Sequence, residues 1–161
     1  MSVSDELPPF QRFLDGHRDA VWRFILSSVS RSEAEDCFQE TFIAALRAYP
    51  RLRADSNLRA WVLTIAHRKA LDAHRARARG AVPVADPAAV DGRSAPSAPA
   101  RDEALWDAVG ELPARQRSAV VLRYVADLPH RDIAAAIGCS EEAARRSLHE
   151  GLRRLRKVVP A

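Results

Sequence analysis

The chain has 161 residues, room for one ordinary domain or two small ones. Hydrophobic residues make up 47% and charged residues 29%, a globular balance that excludes a wholly disordered chain, and aromatics at 6% leave a core built mainly from Leu, Val, Ile and Ala. The net charge of +4 hides a division: residues 1–50 carry five basic and eight acidic side chains, 51–79 eight and two, 80–114 two and six, and 115–161 ten and five. Two electropositive blocks on one chain imply two places where a polyanion could bind. The basic residues are almost all arginine, which suits bidentate phosphate or guanine contacts and equally follows from a GC-rich genome.

No apolar run approaches the ~20 residues of a membrane span, and Asp5, Glu6, Pro8 and Pro9 stand where a signal peptide would be basic and then apolar. Cys37 and Cys139, 102 positions apart, support neither a disulfide scaffold nor a zinc site. A cytoplasmic protein is expected.

The elements read as helices throughout, with no period-2 run of β-branched residues. The first is predicted from about Pro9 to Ser28, with proline at its opening turn. Ser32 with Glu35 resembles a capping box and starts a second helix ending before Pro50. Its core stripe is read as Phe38, Phe42, Ala45, Leu46 and Tyr49. Asp36, Glu40, Ile43 and Arg47 share the opposite face, with Gln39 at its edge. Ile43 among those charges is either a partner contact or a stray apolar residue.

A loop, Arg51-Leu52-Arg53-Ala54-Asp55-Ser56-Asn57, mixes cations with small polar groups. The third helix runs from Ser56 or Asn57 to Arg79, stopped by Gly80. Leu58, Val62, Ile65 and Ala66 form its core stripe, with Trp61 at the margin. Thr64, His67, Arg68, Leu71, His74 and Arg75 are placed on the other side. Basic residues beside a tryptophan and histidines suit phosphate contacts and base stacking on single-stranded nucleic acid, although Trp61 taken alone reads as core. His67 and His74 lie on one face, but no Cys or carboxylate completes a metal set.

Residues 80–100 contain Pro83, Pro87, Pro96 and Pro99, so no helix or central strand can run through them. They are read as a flexible linker. The predicted architecture is therefore all-α: a helical domain at 9–79, the linker at 80–100 and a second helical domain at 101–158. Helices in the latter are placed at about 101–111, 114–126, 130–137 and 140–158.

The most specific local signal runs from Asp132 to Ser140. A short helix, a turn at Gly138 and a second helix capped by Ser140 form a helix-turn-helix, or at the least a helical hairpin with a charged face. The inner stripe of the last helix is Ala144, Leu148, Leu152 and Leu155. Its outer face carries Glu142, Arg146, His149, Glu150 and Arg153. Catalytic patterns are lacking: there is no Gly-rich phosphate loop, nucleophile elbow or His-Glu metal helix. Adjacent Glu141 and Glu142 point apart on a helix, which is wrong for paired acid–base work. An enzyme is not expected, and no cofactor is implied.

Taken together, AEDCFQETFIAALRAYPRL, NLRAWVLTIAHRKALDAHRARAR, a linker, and ELPARQRSAVVLRYVADLPHRDIAAAIGCSEEAARRSLHEGLRRLRK resemble an extracytoplasmic-function sigma factor of bacterial RNA polymerase. The resemblance covers residues 10–79 and 102–157. It implies two helical domains and a role in promoter-specific transcription initiation. It assigns Asp36, Gln39, Glu40 and Ile43 to a face that docks on the core polymerase. It assigns the loop with Arg51, Arg53, Asp55, Ser56 and Asn57 to capture of an extruded base of the promoter −10 element. Trp61, His67, Arg68 and Arg75 fall on the helix that melts and holds that strand. Arg131, Ser140, Glu142, Ala143, Arg145, Arg146 and His149 fall in the helix-turn-helix that reads the −35 element.

Expected partners are thus core RNA polymerase, promoter DNA and an anti-sigma factor, with no membrane. The last helix opens Glu142-Ala143-Ala144-Arg145-Arg146 where the family commonly has Gly-Thr-Val-Lys-Ser, so no −35 sequence carries over. The alternative is a stand-alone helix-turn-helix regulator, which would have no use for the face around Glu40 and Ile43.

Overall fold

Apolar residues recurring at helical spacing, broken by Pro, Gly and Ser, give the chain its elements in order. The computed structural model describes residues 6–80 and 100–159, and of residues 100–103 only the helical backbone. Its helices are α1 (Phe10–Leu26), α2 (Arg31–Ala48), α3 (Leu58–Gly80), α4 (Ala100–Glu111), α5 (Ala114–Tyr124), α6 (His130–Ile137) and α7 (Glu141–Val158), with a 3-10 turn at Tyr49–Arg51. No strand occurs among the described residues. The linker expected at 80–100 lies, apart from Gly80 and Ala100, outside them.

The N-terminal half is a three-helix bundle of α1, α2 and α3. Its centre holds Phe13, Val21, Phe24, Ile25, Val62 and Leu63, all at most 2% exposed. Phe13 joins the helices, its ring 6.4 Å from Phe42, 5.1 Å from Tyr49 and 5.7 Å from Trp61. Tyr49 closes the bundle by donating from its hydroxyl to the Pro8 carbonyl at 2.6 Å.

Two details of α2 differ from the expectation. The capping box is Ser30 with Glu33, not Ser32 with Glu35: Glu33 Oε2 accepts from the Ser30 backbone N–H at 3.3 Å and from its hydroxyl at 2.5 Å. The earlier start places apolar Val29 just before the cap and Ala34 at the fourth helical position, both buried, where a hydrophobic staple needs them. The core stripe also turns aside from the predicted one. Its centre runs through Ala34, Cys37, Thr41 and Ala45, leaving Phe38 half-buried and Leu46 53% exposed. Thr41 fits that centre because its hydroxyl bonds back to the Cys37 carbonyl at 2.7 Å, so no polar atom is stranded.

The C-terminal half packs α5 and α6 on α7. Leu122, Leu128 and Ile133 are its fully buried large side chains. Gly151 lets α7 approach α5: a Cβ there would sit 2.9 Å from Val120 Cγ2. The two halves also touch, chiefly through α3 and α6.

Candidate partner and nucleic-acid interfaces

On α2 the residues predicted to face away from the bundle do so. Asp36, Gln39, Glu40 and Ile43 are exposed. Ile43 is 49% exposed and, with Leu46, Phe10, Leu14, Phe38 and Phe42, lines an open apolar groove between α1 and α2. Leu46 joins this surface through the turned stripe, a contributor the sequence reading had assigned to the core. An apolar groove with an acidic rim suits a helix that is apolar on one side and basic beside it. Cys37 lies beneath that rim. Burial first, and then Glu40 and Glu33, push its thiol up to about 11, so it stays protonated and inert.

The loop after the 3-10 turn is held by local bonds. Arg53 grips Asp55 with two parallel hydrogen bonds of 3.0 and 2.9 Å, both side chains exposed. The Ser56 N–H donates to the Arg53 carbonyl at 3.1 Å. Asn57 Oδ1 accepts the Ala60 N–H at 3.1 Å and so caps α3. Arg51, Arg53, Arg68 and Arg75 are all exposed. Arg75 lies 4.0 Å from Asp72, a surface pair that contributes little to stability.

Trp61 is half-buried, its ring packed on Phe13 and Tyr49, so it is both a bundle residue and an accessible one. His67 corrects the expectation. Instead of standing beside Arg68 on the outer surface it is 3% exposed, between Phe24 of α1 and the C-terminal half. Burial, then the neighbouring Arg68, lowers its pKa to about 4, and its Nε2 has no hydrogen-bond partner. In this arrangement it is a neutral core residue with no access to DNA. His74, placed on the same outer side, is half-buried and bonds through Nε2 to the Ser28 carbonyl at 2.6 Å.

The helix-turn-helix forms as expected. Gly138 adopts φ 69°, ψ 43°, the left-handed conformation that glycine reaches without a Cβ penalty, and this ends α6. Ser140 caps α7, its hydroxyl accepting the Ala143 N–H at 3.1 Å. Ala144, Leu148 and Leu155 are buried and Leu152 is half-buried, so α7 presents Glu142, Arg145, Arg146 and His149 outward. Ala143 is half-buried at the edge of that face, and Arg131 at the start of α6 is exposed. Arg145 and Arg146 are laid along the helix by Glu141 at 2.7 Å and Glu142 at 3.4 Å. These exposed pairs are weak enough to be exchanged for a polyanion. The outer edge of such a helix, cationic and unobstructed by apolar bulk, fits a DNA major groove.

Between the halves, Arg59 Nε donates to the Ala126 carbonyl at 2.8 Å and Asn57 Nδ2 reaches Asp132 Oδ2 at 3.4 Å. Farther along α3 a narrow cleft is walled by Ser28, His67, Ala70 and His74 on one side and by Arg117, Ser118 and Val121 on the other. Nothing in the residue pattern signals this seam. Among the described residues no cluster of three or more His, Cys, Asp or Glu side chains could hold a metal ion, and no helix is long and apolar enough to cross a membrane.

Comparison with known proteins matches two stretches of the chain to family models. Residues 13–80 match the family model of Sigma-70 region 2, and residues 102–155 match that of Sigma-70, region 4. The chain is 32% identical over 170 residues to the RNA polymerase sigma factor CarQ of Myxococcus xanthus, covering 92% of this chain and 94% of that protein. It is 30% identical over 132 residues to the ECF RNA polymerase sigma factor SigC of Mycobacterium tuberculosis, covering 80% of this chain and 71% of that one. Its fold is similar to that of the sigma factor RpoE of Bartonella quintana, solved in complex with the anti-sigma factor NepR: TM-score 0.77, 27% identity, 92% of this chain and 95% of that one.

Proposed function

We propose, because the chain belongs to the extracytoplasmic-function sigma factors, a division of promoter work among its outward faces. As a sigma factor it binds core RNA polymerase and directs it to promoters. In our reading residues 9–79 dock on the polymerase and open the −10 element, residues 101–158 read the −35 element, and residues 80–100 span the distance between them. The protein acts in the cytoplasm and performs no covalent chemistry.

Asp36, Gln39, Glu40 and Ile43 carry polymerase docking, with Leu46 extending the apolar part. Arg51, Arg53, Asp55, Ser56 and Asn57 take an extruded base. Trp61, Arg68 and Arg75 hold the melted strand by stacking and phosphate contact. Arg131, Ser140, Glu142, Ala143, Arg145, Arg146 and His149 read or anchor the −35 groove. The energy for melting comes from contacts made only with the open strand.

The observation that carries this reading is the coexistence of two unlike exposed surfaces on one chain. One is the acid-rimmed apolar groove on α2, and the other is the arginine-lined face of α7. A stand-alone regulator would need only the second. By analogy with the Bartonella protein, an inhibitory protein partner is a further expectation.

The test is run-off transcription with purified core polymerase on genomic fragments. Discrete transcripts that require this protein support the reading. Operator binding in the absence of polymerase, without any transcript when core is added, overturns it.

A further inference from the structure

We propose that Glu142 and Arg146 form one reading unit in the −35 groove, the carboxylate selecting a cytosine and the guanidinium a guanine of the adjoining base pair. The inference rests on the assignment of α7 to the −35 element made above, and adds the bases that this face selects.

The inner side of α7 is fixed by what it buries: Ala144, Ser147, Leu148, Gly151 and Leu155. At about 100° per residue the opposite side carries Glu142, Arg146 and Arg153, all of them exposed. Glu141 and Arg145 stand on the flank. Their pair is the tighter one, at 2.7 Å, with the Glu141 side chain 47% exposed. Glu142 is 85% exposed and lies 3.4 Å from Arg146. The two acids that open the helix are thus unlike, one bracing an arginine at the side and the other standing out in front. Either one favours the positive end of the helix dipole, so that role does not require a carboxylate on the outermost line.

The first turns of a recognition helix are the ones that reach base edges. Here the left-handed Gly138 ends α6 and the Ser140 hydroxyl caps α7, which fixes where those turns begin. Glu142 and Arg146 both fall within the first two turns. A carboxylate there is repelled by phosphates and by the acceptor atoms of guanine and thymine. Cytosine alone presents a donor in the major groove with no acceptor beside it. Adenine also offers a donor, but its N7 opposes the second carboxylate oxygen. Guanine O6 and N7 match the two-pronged guanidinium. The charged atoms of Glu142 and Arg146 are 3.4 Å apart, which is about the rise of one base pair. Their exposed pair is weak and withholds neither group from its base.

Selection with the holoenzyme tests this. A promoter found by run-off transcription is randomised around −35 over about twelve base pairs, a little more than one helical turn. Duplexes retained by core polymerase together with this protein are then sequenced. Wild type should enrich cytosine about fivefold or more at one position, with a guanine in the adjoining base pair. Glu142→Gln keeps the length of the side chain and supplies an amide that pairs with adenine N6 and N7. The preferred base should therefore change from cytosine to adenine at that position alone. Arg146→Ala should lose the adjoining guanine. A role confined to the helix start would weaken retention of every duplex alike and change no base.

Loss of the cytosine in Glu142→Gln upholds the proposal, and the gain of adenine identifies the edge being read. Cytosine kept at the wild-type level, or absent from the wild-type motif, overturns it. In that case a guanine lost in Arg146→Ala still upholds the −35 assignment. A motif that neither variant alters, or no motif at all, overturns that assignment as well.

Discussion

Docking on the polymerase can be tested through the apolar part of the α2 face, because the structure fixes how much burial remains to be gained. Ile43 is 49% and Leu46 53% exposed, so each keeps about half of its side chain in water. Full burial of such a side chain is worth about 1.5–3 kcal/mol, leaving about 1 kcal/mol apiece for a partner to gain. Removing both in Ile43→Ala/Leu46→Ala should weaken binding by about 2 kcal/mol, roughly thirtyfold in Kd. Folding should change much less, since alanine is the better helix former and neither side chain is enclosed. The assay is anisotropy titration of labelled protein with purified core enzyme, alongside urea unfolding of the free protein. Asp36→Lys/Glu40→Lys on the same face should also weaken binding, mostly through slower association, and more so at low salt. Affinity within threefold of wild type for both double variants would show that this groove is not where the polymerase binds.

The outward arginines, the tight helix crossing and the buried histidine give three further expectations. Arg146→Ala should leave stability within a few tenths of a kcal/mol, because the surface pair with Glu142 contributes little. It should weaken binding to a cognate promoter by about 1–3 kcal/mol if it contacts a base, and to cognate and −35-scrambled DNA alike if it contacts a phosphate; no effect on either would remove it from the interface. Gly151→Ala should destabilise by about 1–2 kcal/mol in urea unfolding. The added methyl meets a β-branched valine that cannot swing aside, and overpacking of that kind outweighs the gain in helix propensity of about 1 kcal/mol; a more stable variant would mean that α5 and α7 can part freely. His67 is neutral when buried, with its pKa lowered to about 4 from 6.5, while Arg68, Arg117 and His74 around it add no anion to favour its charge. Its contribution is therefore complete above about pH 6.5 and is lost as pH falls toward 4, by about 2 kcal/mol at pH 5; His67→Leu should flatten that part of the pH dependence, and an unchanged profile would refute the assignment.

Legibility in the sequence followed the range of the forces involved. Helix ends set by local chemistry were readable to within a residue or two, as at Gly138 and Ser140, where backbone conformation and cap lie within a few positions of each other. Where two local signals competed, burial decided: Ser30 capped α2 rather than Ser32 because apolar Val29 and Ala34 flank the earlier start. The stripe on α2 was misplaced because Cys37 and Thr41 do not look like core residues. Counting only the large apolar side chains pulled the apparent face toward Phe38 and Leu46. Gly151 carried a readable sign, a glycine inside an otherwise strong helix, whose meaning needed the partner helix.

His67 shows why the remainder was out of reach. On α3 alone it belongs to the polar side, and in an isolated N-terminal bundle its neighbours would include water. Phe24 of α1 packs on one side of it, and the cleft on the other side is walled by α5, more than forty residues farther along the chain and beyond the proline-rich segment. Long-range packing of this kind leaves no periodic trace, because each half satisfies its own pattern first. The two positive blocks have the same double character. Read separately they are two DNA-binding surfaces, but the seam engages Asn57 and Arg59 from the first block with Asp132 and the end of α5 from the second.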